Sequence, residues 1–436
     1  MSPNPQEPYD ELFDYARNRP KINTHCHQLP VKEFQAFDLD ALLRNSYMNW
    51  CGISWDGSSH SRNNLLEKTR FNSFFVWLQK SLWQLYDCED ALSGPNWHAW
   101  NERIQTAYQD SSHLEKVLSD RCAYQSMVLD AYWNPGSDNG RSDLFRPTFR
   151  VNAFFFGYST ISADHDGNNP YVLYPRTFIL DLDQYVAWVR DSILAHKASG
   201  CVALKIPIAY DRGLDFCDVT IEQAREAFSR LTAASPESPG LIESTTFPAN
   251  APVSSSIKPL PGAAPEDVRV FQDYLFFQIC HIAAEANLPL QVHTGMGQGL
   301  RTNALQLREA IQKFPETRFV LLHCSYPWTE EMGLLVTSYP NVYADLSWVP
   351  LISTQAATTL LHELIERTTV DRICWGCDTW TPEESYGSLL ALCHVLASTL
   401  VKKIIDGYFS TQDAFLFIDH LLTGNPNQLY GSVQTG

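Results

Sequence analysis

The stretch Lys21-Ile22-Asn23-Thr24-His25-Cys26-His27-Gln28 decides how the rest of the chain is read. Ile22 marks the tail of a short strand, and two imidazoles follow it two residues apart. On a strand, residues i and i+2 point to one face. His25 and His27 are therefore expected to aim both rings at one point, as they would if one divalent ion took two ligands from a strand end. Taken alone, a His-x-His is equally compatible with two surface histidines. Its meaning depends on whether later strand ends answer it.

From Tyr124 onward, short apolar runs alternate with helical stretches. The runs are Ser126–Leu129, Val151–Phe155, Val202–Ile206, Leu290–His293, Phe319–His323, Val342–Leu346 and Ile373–Asp378. Helical spacing recurs in Leu180–Ala198, Ile221–Ala234, Val268–Ala286, Thr302–Phe314 and Thr354–Thr368. Continuous apolar strands alternating with helices indicate a parallel sheet covered on its outside. With the first strand the count is eight, so the fold class expected is α/β, a (β/α)8 TIM barrel. C-terminal helices are expected at Glu383–Val401 and Gln412–Leu422.

One segment has a different texture. Residues 31–118 carry amphipathic patterns such as Phe74–Leu78 and Leu82–Tyr86, with Trp50, Trp55, Trp97 and Trp100 nearby. This is expected to be a large helical insertion after strand one, capping the barrel mouth, while 1–30 and 119–436 form the barrel. Most of its aromatics are expected to pack its own core. Ala234–Ala264, rich in Pro, Ser and Ala, reads as an extended loop within the fourth βα unit.

Composition narrows the function classes. A chain of 436 residues with 44% hydrophobic content can bury a large core. The formal net charge of −17, with 32 Lys plus Arg and no basic block, argues against a nucleic-acid partner. No apolar run is expected to reach the roughly 20 residues of a membrane span, and the polar N-terminus lacks a signal-peptide core. Eleven cysteines, several inside apolar runs, read as reduced thiols of a cytoplasmic protein. Cys374-Trp375-Gly376-Cys377 has redox spacing but lies in a strand rather than opening a helix, so it reads as core. Gly295-Met296-Gly297-Gln298-Gly299 lacks the Gly-Lys-Ser/Thr ending of a phosphate loop. The partner expected is a small-molecule substrate, with a homo-oligomer left open.

In a barrel of this kind, catalytic residues sit at the C-terminal ends of the strands. His293, His323 and Asp378 each end an apolar run, and Lys205 stands at the end of the fourth. Imidazoles and a carboxylate suit Zn²⁺ and similar ions. An ion so held brings the pKa of water down towards roughly 7, and a neighbouring base can take the proton released. Arg301 and, with less support, Arg212 could clamp a substrate carboxylate. Trp328 and Trp380 lie near strand ends where an organic substrate would meet an aromatic wall.

These residues carry a resemblance. Asn23-Thr24-His25-Cys26-His27, Gln291-Val292-His293-Thr294-Gly295, Leu322-His323-Cys324, Gly376-Cys377-Asp378-Thr379 and the terminal Leu422–Gly431 are similar to motifs of the amidohydrolase superfamily, amidohydrolase-2 branch. The resemblance implies one divalent ion, Zn²⁺ or else Mn²⁺, on His25, His27, His293 and Asp378. It implies Asp378 as the base as well, with His323 as polariser or second-shell group. Lys205 is implied either to neutralise a substrate carboxylate or oxyanion or, carbamylated, to bridge a second ion. The activity implied is hydrolysis of a C–N or C–O bond (amide, ester or lactone) in a small carboxylate-bearing molecule. His25–Pro30 followed by a helical insertion also resembles uronate isomerase, although Asp378–Glu384 lacks the arginine-bearing segment of that family. Isomerisation or metal-dependent decarboxylation is thus the alternative. A barrel that binds without catalysis is the second, and no expected ligand is missing to favour it.

Overall fold

The computed structural model describes residues 6–235 and 262–431. Eight strands run parallel in sequence order: β1 Lys21–Cys26, β2 Tyr124–Leu129, β3 Phe145–Arg150, β4 Ala203–Ile206, β5 Leu290–His293, β6 Phe319–Leu322, β7 Val342–Asp345 and β8 Ile373–Cys374. The sheet curls into a barrel, and its seam is made by backbone between β1 and the segment after β8. Thr24 N–H donates to Trp375 O at 3.3 Å, Asp378 N–H to His25 O at 2.9 Å and His27 N–H to Thr379 O at 3.0 Å. Gly376 permits the approach. A Cβ there would lie 2.3 Å from His25 N and 2.7 Å from His25 O. Outside the strands, the helices Leu182–Ala198, Ile221–Ala234, Pro265–Glu285 and Thr354–Arg367 cover the barrel.

Three expectations need correction. The third strand is Phe145–Arg150, and the run expected to form it, Val151–Phe155, lies in a buried 3-10 turn over Asn152–Phe156. A continuous apolar run reports burial, not backbone shape. Arg146, Pro147 and Arg150 disguise the true strand. Within Thr302–Phe314, only Arg308–Lys313 is α-helical, because the Asn303 side chain accepts from Leu305 N–H and starts a separate turn. The helix Pro382–Ile405 is, by length and composition, apolar enough to cross a membrane, contrary to the expectation from sequence. Of its apolar window, 72% is buried inside the protein, where it packs on the lead helix Gln6–Asn18 and on Ser73–Leu85. The Pro-rich stretch expected as a loop, 234–264, falls almost wholly outside the described residues. All eleven cysteines are unpaired.

Residues between β1 and β2 form helices at Leu39–Arg44, Ser59–Thr69, Ser73–Leu85 and Trp97–Tyr108, with shorter turns between them. Asp38, Ser58 and Asn72 cap the first three with side-chain oxygens. Two adjacent carboxylates of the helix Pro382–Ile405 hold this segment. Buried Glu383 accepts from Tyr86 Oη at 2.8 Å and Tyr108 Oη at 2.7 Å, and meets His113 Nε2 at 2.9 Å. Glu384 Oε1 accepts from Tyr47 N–H at 2.6 Å. Trp100 is buried within the segment. Tyr47 and Trp50 instead pack on Trp348, with ring centroids 4.7 and 5.8 Å away.

The seam yields a stability test. Gly376→Ala should destabilise the protein by at least about 2 kcal/mol, because the methyl group would run into His25 backbone and the Ser347 hydroxyl. Urea unfolding monitored by tryptophan fluorescence measures the loss.

Candidate metal centre

β1 and the turn after β8 bring three ligand-type groups together. His25, His27 and Asp378 each offer one ligand atom, and these atoms lie within 4.8 Å of one another. Asp378 Oδ1 is 3.3 Å from His25 Nε2 and 3.1 Å from His27 Nε2, and Asp378 Oδ2 is 3.6 Å from His323 Nδ1. Asp378 holds a left-handed φ of 58° and His323 one of 65°. Non-glycine residues adopt this region at a cost, so surrounding contacts must hold both side chains in place.

The tautomers follow from the partners. A carbonyl oxygen only accepts, so His27 Nδ1, 2.8 Å from Asp130 O, carries the hydrogen. Its Nε2 then faces Asp378 Oδ1, 3.1 Å away. His323 Nδ1, 2.9 Å from Ser347 O, is likewise protonated, which leaves Nε2 to accept from His293 Nδ1–H at 3.0 Å. His293 Nε2 is left as a lone pair, buried and without a partner. Metal-binding histidines commonly have the second nitrogen fixed by such an outer acceptor. The donor set therefore fits a divalent ion, with His25, His27 and Asp378 in one cluster and His293 Nε2 as a spare donor beside it. In the structure His293 is turned to His323 and lies outside the three-residue cluster.

Burial sets the charges. It lowers the pKa of His25 to about 3, with Lys205 adding to the effect. Burial also lowers His323 to about 4 and holds His293 well below its ordinary value. Burial alone would raise Asp378, but His25, His27 and His323 keep it well below the usual carboxylate range. Lys205 Nζ lies 3.2 Å from His25 Nε2, and burial brings its pKa down to about 8. The site thus holds neutral His25, His293 and His323 near one ionised carboxylate, with a lysine at its edge.

Aromatic rings enclose it. Trp380 stacks on His27 at 5.4 Å, Tyr132 meets His27 edge-on at 5.5 Å, and Trp348 meets His323 at 5.4 Å. Trp328 is half-buried, and its backbone N–H donates to Ser325 O. The two arginines expected at the substrate have other occupations. Arg212 Nη1 binds Asp273 at 2.8 Å over the Phe216 ring, and Arg301, half-exposed, reaches Asp215 at 3.5 Å.

Sequence reading missed three residues here. Asp130 follows β2 by the same strand-end rule that found His293, and Arg150 ends β3. Arg150 Nη1 donates to Asp130 Oδ2 at 2.8 Å, and it was hidden when β3 was placed too late. Tyr47 comes from the segment between β1 and β2, and burial, followed by Asp378, pushes its pKa well above the ordinary phenol value. No sequence signal marks it.

Residues 257–414 match the family model described as amidohydrolase (Amidohydro_2). Protein fluG of Emericella nidulans is 36% identical over 152 residues, which are 34% of this chain and 18% of that protein, so the likeness concerns a small part of it. Three solved structures share the fold. A Lactobacillus casei protein described as a metal-dependent hydrolase has a TM-score of 0.67 at 16% identity, over 96% of this chain and 97% of that one. Uronate isomerase of Thermotoga maritima has 0.72 at 15%, over 97% of each. Glucuronate isomerase of Caulobacter crescentus has 0.74 at 13%, over 100% and 96%.

Two outcomes are expected. Protein reconstituted with Zn²⁺ or Mn²⁺ should hold one equivalent by elemental analysis. His27→Ala should weaken binding at least about 100-fold, the upper end of what loss of an outer partner costs. The second concerns His165, on the loop after β3. Burial works to lower its pKa, but Asp166 and Asp211 outweigh that and raise it to about 9. A raised folded pKa stabilises the protein fully below the unfolded value near 6.5, and the contribution fades as pH rises through about 9. Urea unfolding should therefore show wild type losing about 3 kcal/mol relative to His165→Gln between pH 6.5 and 9.5.

Proposed function

We propose that this chain, whose residues 257–414 match the amidohydrolase family model, is a metal-dependent hydrolase of the amidohydrolase superfamily. It cleaves a C–N or C–O bond (amide, ester or lactone) of a small carboxylate-bearing molecule. The observation that carries this reading is the convergence of His25, His27 and Asp378 within 4.8 Å, with burial holding His25 neutral beside an ionised Asp378.

When bound there, a divalent ion, Zn²⁺ in the first place and Mn²⁺ in the second, polarises a carbonyl and acidifies water. The chain's own groups supply the rest. Asp378, kept ionised by its histidines, takes the proton of the attacking water and delivers it to the leaving nitrogen or oxygen. His323 holds His293 Nδ1–H, so that His293 Nε2 stays unprotonated. Lys205 places a cation beside His25 to offset negative charge developing on the substrate. Its Nζ lies 3.2 Å from His25 Nε2; carbamylated, the same lysine would instead bridge a second ion. Trp380, stacked on His27, and Trp328 serve as apolar walls. Residues 31–118 act as a cap, since Tyr47 brings its ring 5.0 Å from Trp380 and ties its backbone to Glu384.

The second reading is a non-hydrolytic reaction at the same site, isomerisation of a uronate or decarboxylation. It is favoured by His25–Pro30 leading straight into a helical segment, as in uronate isomerase.

A screen of N-acyl amino acids, lactones, aromatic carboxylates and uronates with the metal-loaded protein identifies a substrate. Asp378→Asn should lower turnover at least about 10²-fold while the fold persists. Turnover in ¹⁸O-labelled water should place label in the product carboxylate. A ketose or CO₂ without solvent oxygen would overturn hydrolysis and leave the second reading.

A further inference from the structure

Next to the metal centre, the ends of β3 and the following loop build a seat for an anion. Arg150 is 5% exposed, with Nη1 anchored on Asp130 Oδ2 at 2.8 Å. His165 has its own anchor, its N–H on Asp211 Oδ1 at 2.8 Å and its Nδ1 on Asp211 Oδ2 at 2.9 Å, and its Nε2 lies 3.3 Å from Arg150 Nη2. Both cations turn to one further group, the carboxylate of Asp166. Arg150 Nη2 donates to Asp166 Oδ2, and His165 Nε2 lies 3.4 Å from the same oxygen.

The fit of Asp166 is incomplete. A guanidinium presents Nε and one Nη as a parallel fork that binds both oxygens of a carboxylate. Asp166 engages Nη2, while Arg150 Nε is buried without a partner. An orphaned buried donor of this kind is costly, and a carboxylate arriving with free geometry would satisfy both tines. Asp166 is also free to leave. Its side chain is 18% exposed. Its backbone is held independently of the seat, because Asp164 Oδ1 accepts from Asp166 N–H at 3.1 Å and from Asn168 N–H at 2.8 Å. Rotation of one side chain empties the seat. Asp130 and Asp211 still hold the two cations.

The seat faces the reacting end through two rings. Tyr132 lies under Arg150 at 5.5 Å and against His27 at 5.5 Å. Tyr210 lies 4.9 Å from His165 and 4.4 Å from His293.

We propose that Arg150 and His165 form the substrate-carboxylate subsite of this enzyme, and that Asp166 is a built-in stand-in which the incoming carboxylate displaces. This deepens the hydrolase reading and rests on it for the location of the reacting end. The substrate class is then a carboxylate whose labile bond is separated from the acid group by about the thickness of the Tyr132–Tyr210 layer. Arg301 and Arg212, tied to Asp215 and Asp273, are left out of it.

The test is titration calorimetry on the metal-loaded full chain, with benzoate and D-glucuronate as probes and their methyl esters as neutral controls. Asp166→Asn should bind the acids at least about tenfold more tightly than wild type, with no gain for the esters. This sign distinguishes a stand-in from a supporting group, whose loss would weaken binding or the fold. Adding His165→Gln to Asp166→Asn should remove most of the gain. That pair keeps the Arg150–Asp130 anchor and avoids an Arg150 variant that could fail to fold. Equal affinity of Asp166→Asn and wild type for the acids, or an equal gain for the esters, overturns the proposal. A gain in acid affinity by a protein that hydrolyses nothing supports the seat and refutes only the hydrolase reading. Hydrolysis without that gain refutes the seat alone.

Discussion

Everything at the mouth of this barrel depends on how closely β1 approaches the chain after β8. Backbone hydrogen bonds run from Thr24, His27 and Asp378 across the seam, and Gly376 leaves the space a side chain would take. The seam fixes His25 and His27 on one strand and swings Asp378, in a left-handed conformation, onto both. A barrel closed a little more loosely would keep its eight strands and lose the convergence. The same contact therefore closes the fold and assembles the candidate metal centre.

The chemistry of the centre follows from burial more than from the number of charges. Buried His25, His293 and His323 are costly to protonate. Carbonyl oxygens of Asp130 and Ser347 fix the Nδ1 protons of His27 and His323, and His323 Nε2 in turn accepts from His293, which leaves His293 Nε2 as the open donor. Asp378 stays ionised because several imidazoles share it. Outer acids serve a different purpose. Asp130 and Asp211 hold Arg150 and His165 in place, and Asp345 accepts from Thr24 Oγ1 at 2.6 Å below the site. The segment between β1 and β2 joins the centre through Glu383 and Glu384, adjacent residues at the start of the helix that follows Asp378. Tyr47 is thereby carried by the same element as the carboxylate it faces.

Much of this was legible in one dimension. Local rules suffice wherever the property is local: strand periodicity, the alternation with helices, and the polar residue that ends each apolar run. They identified seven of the eight strands and all the residues of the three-group cluster, because a strand end in a barrel has only one place to be. The third strand escaped because Pro147 and two arginines interrupt its apolar pattern. With it went Arg150, whose significance lies in what surrounds it.

The sequence by itself determined the barrel, the two histidines and the aspartate that face one another, and the helical nature of the segment after β1. Periodicity and residue chemistry are enough for those. Only the tertiary structure decided which cations are available. Arg212 and Arg301 looked suited to a substrate and are tied to Asp273 and Asp215, whereas Arg150 and His165 converge on one carboxylate. The reason is that a charge's role is set by its nearest opposite charge and by its burial, and these depend on residues far apart in the chain. Tyr47 makes the same point: its backbone reaches Glu384, on the helix that follows the strand-eight turn, across more than three hundred residues of sequence, a distance no local pattern spans.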